Sequence, residues 1–314
     1  MIQKILIATD FSDESTQAFT FVKEQQDLYP ALQTVALSVL ENPNVASVSF
    51  ELGLMVYNLN EVFSQIEPPA KERLTKLCLQ HGIKEPFTAI IRKGEDSTAK
   101  EIINCAVQQN CDLIVLATHG RTGIEHAVIG SIAEKVLRES PIPVAVIPTR
   151  EGAVASLKET KSNSGILILT DFSSESYSVF EIANKMIERT KPLNPHVTLL
   201  NVLDDITQAA FSMSLGIDVE EIWNERQAEA ERLIEETRNR YFPQKLIDSA
   251  VIRQTLSIAD EITLYARTRN IGLIILGSHG RTGFKHLVLG SVAEKVVRLA
   301  SCPVLVVPVK SAIV

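Results

Sequence analysis

Residues 118–138 read THGRTGIEHAVIGSIAEKVLR, and residues 278–298 read SHGRTGFKHLVLGSVAEKVVR. The two stretches are near copies, with Gly120 and Gly280 standing 160 residues apart. A second pair, ILIATDFSDES from Ile5 and ILILTDFSSES from Ile166, recurs at a distance of 161 residues. Solenoid repeats have periods of about 20–50 residues, so the unit repeated here is a whole domain. The chain has 314 residues, and at roughly 150 residues per domain that length also suggests two. Residues 1–150 are expected to form the first domain and residues 164–314 the second. A polar linker over 151–163 joins them, inside the run REGAVASLKETKSNSG.

Each half alternates short apolar runs with longer helical stretches. KILIAT, TVALSVL, FTAIIR, DLIVLAT and PVAVIP read as strands in the first half, and GILILT, HVTLLNVL, SAVIR, GLIILG and PVLVVP in the second. Runs of Val, Ile and Leu without polar alternation suit strands covered on both faces, as in a parallel sheet. Glu61 to His81 and Val219 to Phe242 are long enough to be crossover helices, and Pro141, Pro143 and Pro303 stop a helix before the last strand begins. The fold expected is α/β: two tandem doubly wound, five-stranded, Rossmann-like parallel sheets, with ligands at the carboxyl ends of the strands.

The repeated glycine stretch follows the fourth strand and runs into a helix beginning near Ser291. A helix N-terminus presents unpaired N–H groups and the positive end of its dipole, a combination that favours phosphate. Gly290 keeps a Cβ out of the anion's way and Ser291 adds a hydroxyl donor. Neither GxGxxG after a first strand nor GxxxxGK[ST] is present, so this is a different phosphate loop.

The spacing Gly277-x-x-Gly280, nine residues, then Gly290-Ser291 resembles the ATP-binding signature of the universal stress proteins. The first-strand TDFS and the closing CPVLVVP resemble the same family, and the likeness covers nearly all of both halves. The resemblance implies a tandem universal stress protein with ATP as its ligand. It places Asp171 and Val202 at the adenosine end, with Gly277, Gly280, Gly290 and Ser291 around ribose and phosphates. The matching positions of the first half are Asp10, Val39, Gly120, Gly130 and Ser131. Ala117 stands where the pattern begins with glycine, adding a methyl group where backbone and ligand are expected to be close. The family also implies pairing through the apolar last strands, either as an intrachain pseudo-dimer or as a homodimer.

Each of these residues has a plainer reading. Asp10 and Asp171 precede Ser12 and Ser173, so they either cap a helix or face the crevice, accepting hydrogen bonds from adenosine or helping to hold magnesium on the phosphates. His119 and His279 read as histidines bonded within a tight loop. Arg121 and Arg281 either neutralise phosphate or are solvated. Gly123 and Gly283 read as turn residues. No nucleophile or base is common to both halves: Glu125 in one loop is Lys285 in the other. That points to a nucleotide-dependent regulator acting on an unidentified protein partner, with no catalytic residues, rather than to an ATP-hydrolysing enzyme or a nucleotide-free module.

Composition narrows the classes further. A formal net charge of −7 speaks against coating nucleic acid or an anionic membrane. The N-terminal MIQKILIATDFSDES meets acids too soon for a signal peptide, and no apolar run reaches membrane-spanning length. Cys78, Cys105, Cys111 and Cys302 show no CxxC or zinc spacing and read as reduced core thiols. No resident metal site is expected, and the location expected is cytoplasmic.

Overall fold

The structure is a computed structural model. It describes residues 2–41, 59–94, 96–118, 129–149, 164–173, 176–189, 195–204, 219–242, 247–254, 256–280 and 289–308. The linker 151–163 lies outside the described residues, which divide into two compact units at Thr149.

The first unit contains β1 (Lys4–Ala8), α1 (Gln17–Leu28), β2 (Gln33–Glu41), α2 (Leu59–Gln80), β3 (Phe87–Gly94), α3 (Thr98–Gln108), β4 (Leu113–Ala117), α4 (Ser131–Glu139) and β5 (Val144–Ile147). The second contains β6 (Gly165–Leu169), α5 (Ser176–Arg189), β7 (Val197–Leu203), α6 (Val219–Tyr241), β8 (Ile247–Arg253), α7 (Ile258–Thr268), β9 (Ile271–Gly277), α8 (Ser291–Leu299) and β10 (Val304–Val307). All ten strands expected from the sequence are present. Within the first unit the strand order is β3-β2-β1-β4-β5, and within the second it is β8-β7-β6-β9-β10. Every pairing within a unit is parallel: Ile7 lies between Ala36 and Val115, and Ile168 between Leu199 and Ile275.

Every residue of β4 is buried, as are the first four of β6. A strand whose two faces are both buried needs helices on both sides. Phe19, Leu6, Ile7, Leu37 and Ile114 are fully enclosed in the first unit, and Phe180, Leu167, Ile168 and Phe242 in the second. Each such side chain contributes about 1.5–3 kcal/mol by leaving water.

The crossover helices carry clear start and stop signals. Ser97 and Ser257 cap α3 and α7, their hydroxyls accepting from the N–H of Lys100 and Asp260 at 3.4 and 3.3 Å. The same two helices end at Asn110 and Asn270, with φ of 51° and 52°. In α3 the Cys111 N–H returns to the Ala106 carbonyl at 2.8 Å and the Asn110 N–H to Val107 at 3.0 Å. That double closure is a Schellman ending, and asparagine tolerates the left-handed residue it needs.

In both units the order reverses at the first strand. Connections leave β1 and β4 (β6 and β9 in the second unit) in opposite directions, and the loops after them diverge. The gap so formed is the topological switch point, where open α/β sheets bind ligands.

Candidate functional site

Asp171 follows β6 at this switch point. Its Oδ1 accepts from Ser173 N at 3.0 Å, Ser173 Oγ at 2.6 Å and Ser176 Oγ at 2.8 Å. Three donors on one oxygen hold the carboxylate in a single orientation. Phe172, next in the chain, has φ of 61°, and its N–H is held by Thr170 Oγ1 at 3.0 Å. A bulky residue in the left-handed region costs roughly 1–2 kcal/mol, a strain accepted where the turn must aim a particular side chain. The first unit repeats the device: Phe11 has φ of 65°, Thr9 Oγ1 accepts its N–H at 3.0 Å, and Asp10 Oδ1 accepts from Ser12 N and Oγ at 3.0 and 2.5 Å. In this arrangement each aspartate closes its own turn. The helical turn after Asp10, Glu14–Thr16, has Asp13 at its N-cap position and no side-chain cap bond.

Opposite Asp171 runs the loop after β9. A β-carbon placed on Gly280 would stand 2.8 Å from Asp171 Oδ2, so the loop backbone touches the second carboxylate oxygen. Gly290 joins from the other side. Its N–H donates to the Ser278 carbonyl at 2.8 Å, and a β-carbon on it would meet that oxygen at 3.2 Å and His279 Cα at 3.6 Å. Its φ of −60° is ordinary, so the position demands room, not left-handed backbone. Ser278, His279 and Gly280 thus bridge Asp171 and the start of α8.

That helix opens without a side-chain cap on Gly290, and Ser291, its first residue, is exposed. In the first unit Gly130 has φ of −58° and ψ of 140°, also without a cap bond, and its N–H donates to the Thr118 carbonyl at 2.8 Å. Ser131 is exposed as the first residue of α4. The uncapped N–H groups of a first helical turn suit an anion.

Val202 and Val39 sit near the ends of β7 and β2, on the strands beside β6 and β1 and away from the glycine loop. Ala117 is 8% exposed at the end of β4. Gly277, its counterpart, would direct a β-carbon at the His279 carbonyl (3.2 Å) and Val179 Cγ2 (3.5 Å). Val179 matches Ala18 in the first unit. The larger side chain therefore accompanies glycine and the smaller accompanies alanine.

Gly120, His119, Arg121, Gly123 and Glu125 lie outside the described residues, as do Arg281, Gly283 and Lys285. His279 is described, and its Nδ1 lies 2.9 Å from Ser278 Oγ, the within-loop bond expected of it. Thr9, Thr170, Phe11, Phe172 and Ser176 were not singled out from the sequence, although TDFS recurs in both halves and marks their turn.

All four cysteines are free and buried. Burial pushes the Cys78 and Cys302 thiols up to about 12 and Cys111 to about 11, and raises Cys105. None is poised as a nucleophile. Among the described residues no group of three or more His, Cys, Asp or Glu side chains is arranged to hold a metal, and no helix is long and apolar enough to cross a membrane.

The universal stress protein family model matches residues 1–148 and again 163–308. The chain belongs to the universal stress protein family. As a universal stress protein it carries two copies of the family's domain. Universal stress protein MJ0577 of Methanocaldococcus jannaschii is 34% identical over 155 residues, 47% of this chain and 95% of that relative. A universal stress protein of Mycolicibacterium smegmatis is 24% identical over 315 residues and covers 96% of each chain. The crystal structure of a universal stress protein from Archaeoglobus fulgidus superposes with a TM-score of 0.60 at 19% identity, over 98% of this chain and 97% of its own. That likeness is one of fold.

Proposed function

We propose that this universal stress protein binds ATP at the switch point of its second unit, and at the matching crevice of its first, and acts as a nucleotide-dependent cytoplasmic regulator in the stress response. One observation carries the reading. The three-residue bridge Ser278–Gly280 has an uncapped helix start, Gly290, at one end and an oriented carboxylate, Asp171, at the other. A ligand suited to both has phosphate at one end and hydroxyl or amine donors at the other, which describes a nucleotide.

The residues fit such a group. At Gly290 and Gly280 the backbone packs too closely for a β-carbon, which would meet the Ser278 carbonyl at 3.2 Å and Asp171 Oδ2 at 2.8 Å, so glycine lets the helix start, the loop and the carboxylate converge on one place. Ser291 offers a hydroxyl to phosphate, and the immobilised Asp171 accepts from ribose hydroxyls. Magnesium would arrive on the phosphates, since the described residues supply no three-ligand site of their own. Free, buried thiols suit a reducing compartment.

Occupancy, passed on to a protein partner, is the output in this reading. Calorimetric titration of the full chain with ATP tests it. Gly290→Asp puts a negative charge where phosphate is expected, at a cost of several kcal/mol in a desolvated site, and should abolish binding by the second unit. Undiminished binding in that variant would move the phosphate site elsewhere. Multiple-turnover hydrolysis faster than about 1 s⁻¹, the lower range of ordinary enzymes, would place the protein among ATPases instead.

A further inference from the structure

Asn201 lies in β7, 4% exposed, and its Nδ2 donates to the Thr170 carbonyl at 2.8 Å. Thr170 immediately precedes Asp171, so the carboxamide is pinned to the wall of the switch-point crevice. The bond also fixes which way the amide faces. A carbonyl receives hydrogen bonds from N–H and never from C=O, so Nδ2 must point at Thr170 and Oδ1 away from it. That Oδ1 is buried and has no hydrogen-bond partner among the described residues. Buried acceptors are seldom left unmatched, and each one that is weakens the fold that contains it.

The residue after β8 repeats the pattern. Gln254 donates its N–H to the Leu203 carbonyl at 3.0 Å and its Nε2 to Leu256 at 2.7 Å, while its buried Oε1 has no partner among the described residues. The first unit differs at both places. The Thr9 N–H bonds to Leu37 as the Thr170 N–H bonds to Leu200, which aligns Ser38 with Asn201. The strand register then aligns Gly94 with Gln254. Two acceptors in want of donors therefore stand in one unit, and neither carboxamide exists in the other.

Strand order sets Asn201 beside the switch point. The phosphate cradle belongs to the loop between β9 and α8, Asp171 follows β6, and Asn201 lies one strand further on the same side. Neighbouring strands are about 4.8 Å apart. A nucleotide with phosphates at Gly290 and ribose at Asp171 therefore lays its base over β7.

We propose that Asn201 is a specificity-determining residue of the second unit: its Oδ1 accepts a hydrogen bond from the exocyclic 6-amino group of adenine. This rests on the nucleotide reading above and adds which base is taken. A purine bearing oxygen at position 6 sets acceptor against acceptor and is rejected. Ser38 in the first unit has a hydroxyl that donates or accepts, so that unit tolerates either base.

The experiment is calorimetry on the full-length chain with ATP and with inosine triphosphate, which differs by oxygen in place of the 6-amino group. Gly130→Asp silences the first unit. In that background ATP should bind at least about tenfold more tightly than inosine triphosphate, one hydrogen bond's worth. Asn201→Ser, which installs the first unit's residue, should bring the ratio toward one by weakening ATP. The reciprocal Ser38→Asn, in a chain silenced by Gly290→Asp, should raise the first unit's preference for ATP. A folded Asn201→Ser chain that keeps the parent ratio, whether or not both affinities fall together, overturns the proposal, because Asn201 would then do no more than brace Thr170. Where that variant does not fold, the Ser38→Asn arm decides, and an unchanged ratio there overturns it. A parent chain that binds neither nucleotide overturns the nucleotide reading itself, a different failure from a chain that binds both equally.

Discussion

Gly280 and Asp171 approach so closely that a β-carbon on the glycine would stand 2.8 Å from the carboxylate Oδ2. They follow β9 and β6, neighbouring strands that the sheet brings together although the sequence holds them far apart. The carboxylate cannot turn away freely, because Oδ1 is held by Ser173 and Ser176. Gly280→Ala should therefore break the Asp171 turn or push the loop outward. In calorimetry the expected loss is at least about tenfold in ATP affinity, consistent with disrupting a hydrogen bond to a charged group. Parent affinity in Gly280→Ala would show that loop and carboxylate separate when ligand enters.

The pairing of Gly277 with Val179, against Ala117 and Ala18, gives a prediction about packing. Gly277→Ala brings a methyl to 3.2 Å from the His279 carbonyl and 3.5 Å from Val179 Cγ2, a crowding that the surroundings must relieve, and Val179→Ala on top of it should recover part of that cost. Ala117→Gly should leave ATP affinity in the first unit unchanged while lowering stability by about 0.5–1 kcal/mol, the usual penalty of glycine within a strand. Denaturant unfolding reads the stability terms, and titration stoichiometry reads binding. A rise in first-unit affinity on Ala117→Gly would return that methyl group to the ligand's path.

Much of this was legible beforehand because it is written twice. The recurrence of TDFS and of the glycine loop sets the domain count, and unbroken Val-Ile-Leu runs such as DLIVLAT announce two-sided burial. Asp171 and Gly280 could be named as neighbours of a ligand, but not as neighbours of each other, since that proximity depends on strand order. Phe172 was illegible for a related reason: nothing in its chemistry signals a left-handed φ, which the Thr170 hydroxyl and the turn impose. Asn201 was hidden by looking like one more residue of an apolar strand. Its significance lies in an oxygen that has no partner among the described residues, which only the folded strands reveal.

The cysteines yield a prediction at alkaline pH. Burial lifts Cys78 and Cys302 from an ordinary value near 9 to about 12, and Cys111 to about 11. A thiol that keeps its proton longer when folded adds stability that is complete below the unfolded pKa and is lost as pH rises through the folded one. Stability should thus fall as pH climbs above about 9. At pH 8 a thiol reagent should label the native chain slowly and the denatured chain at all four positions. Fast labelling of the native chain at any of these positions would contradict its burial.

His81 supplies the corresponding prediction on the acid side. Its ring lies 5.6 Å from that of Phe19 between centroids, and burial lowers its pKa from the ordinary 6.5. A histidine depressed in the folded state takes up its proton more readily when the chain unfolds. Its contribution to stability is therefore present above about pH 6.5 and lost as pH falls through the folded value. His81→Gln removes the titrating group, so unfolding measured between pH 7 and pH 5 should lose stability less steeply in that variant than in the parent. The His81 ring protons, followed by NMR, should titrate below the usual histidine range. A normal titration midpoint, together with identical pH slopes for parent and variant, would mean that the ring is solvated despite its packing on Phe19.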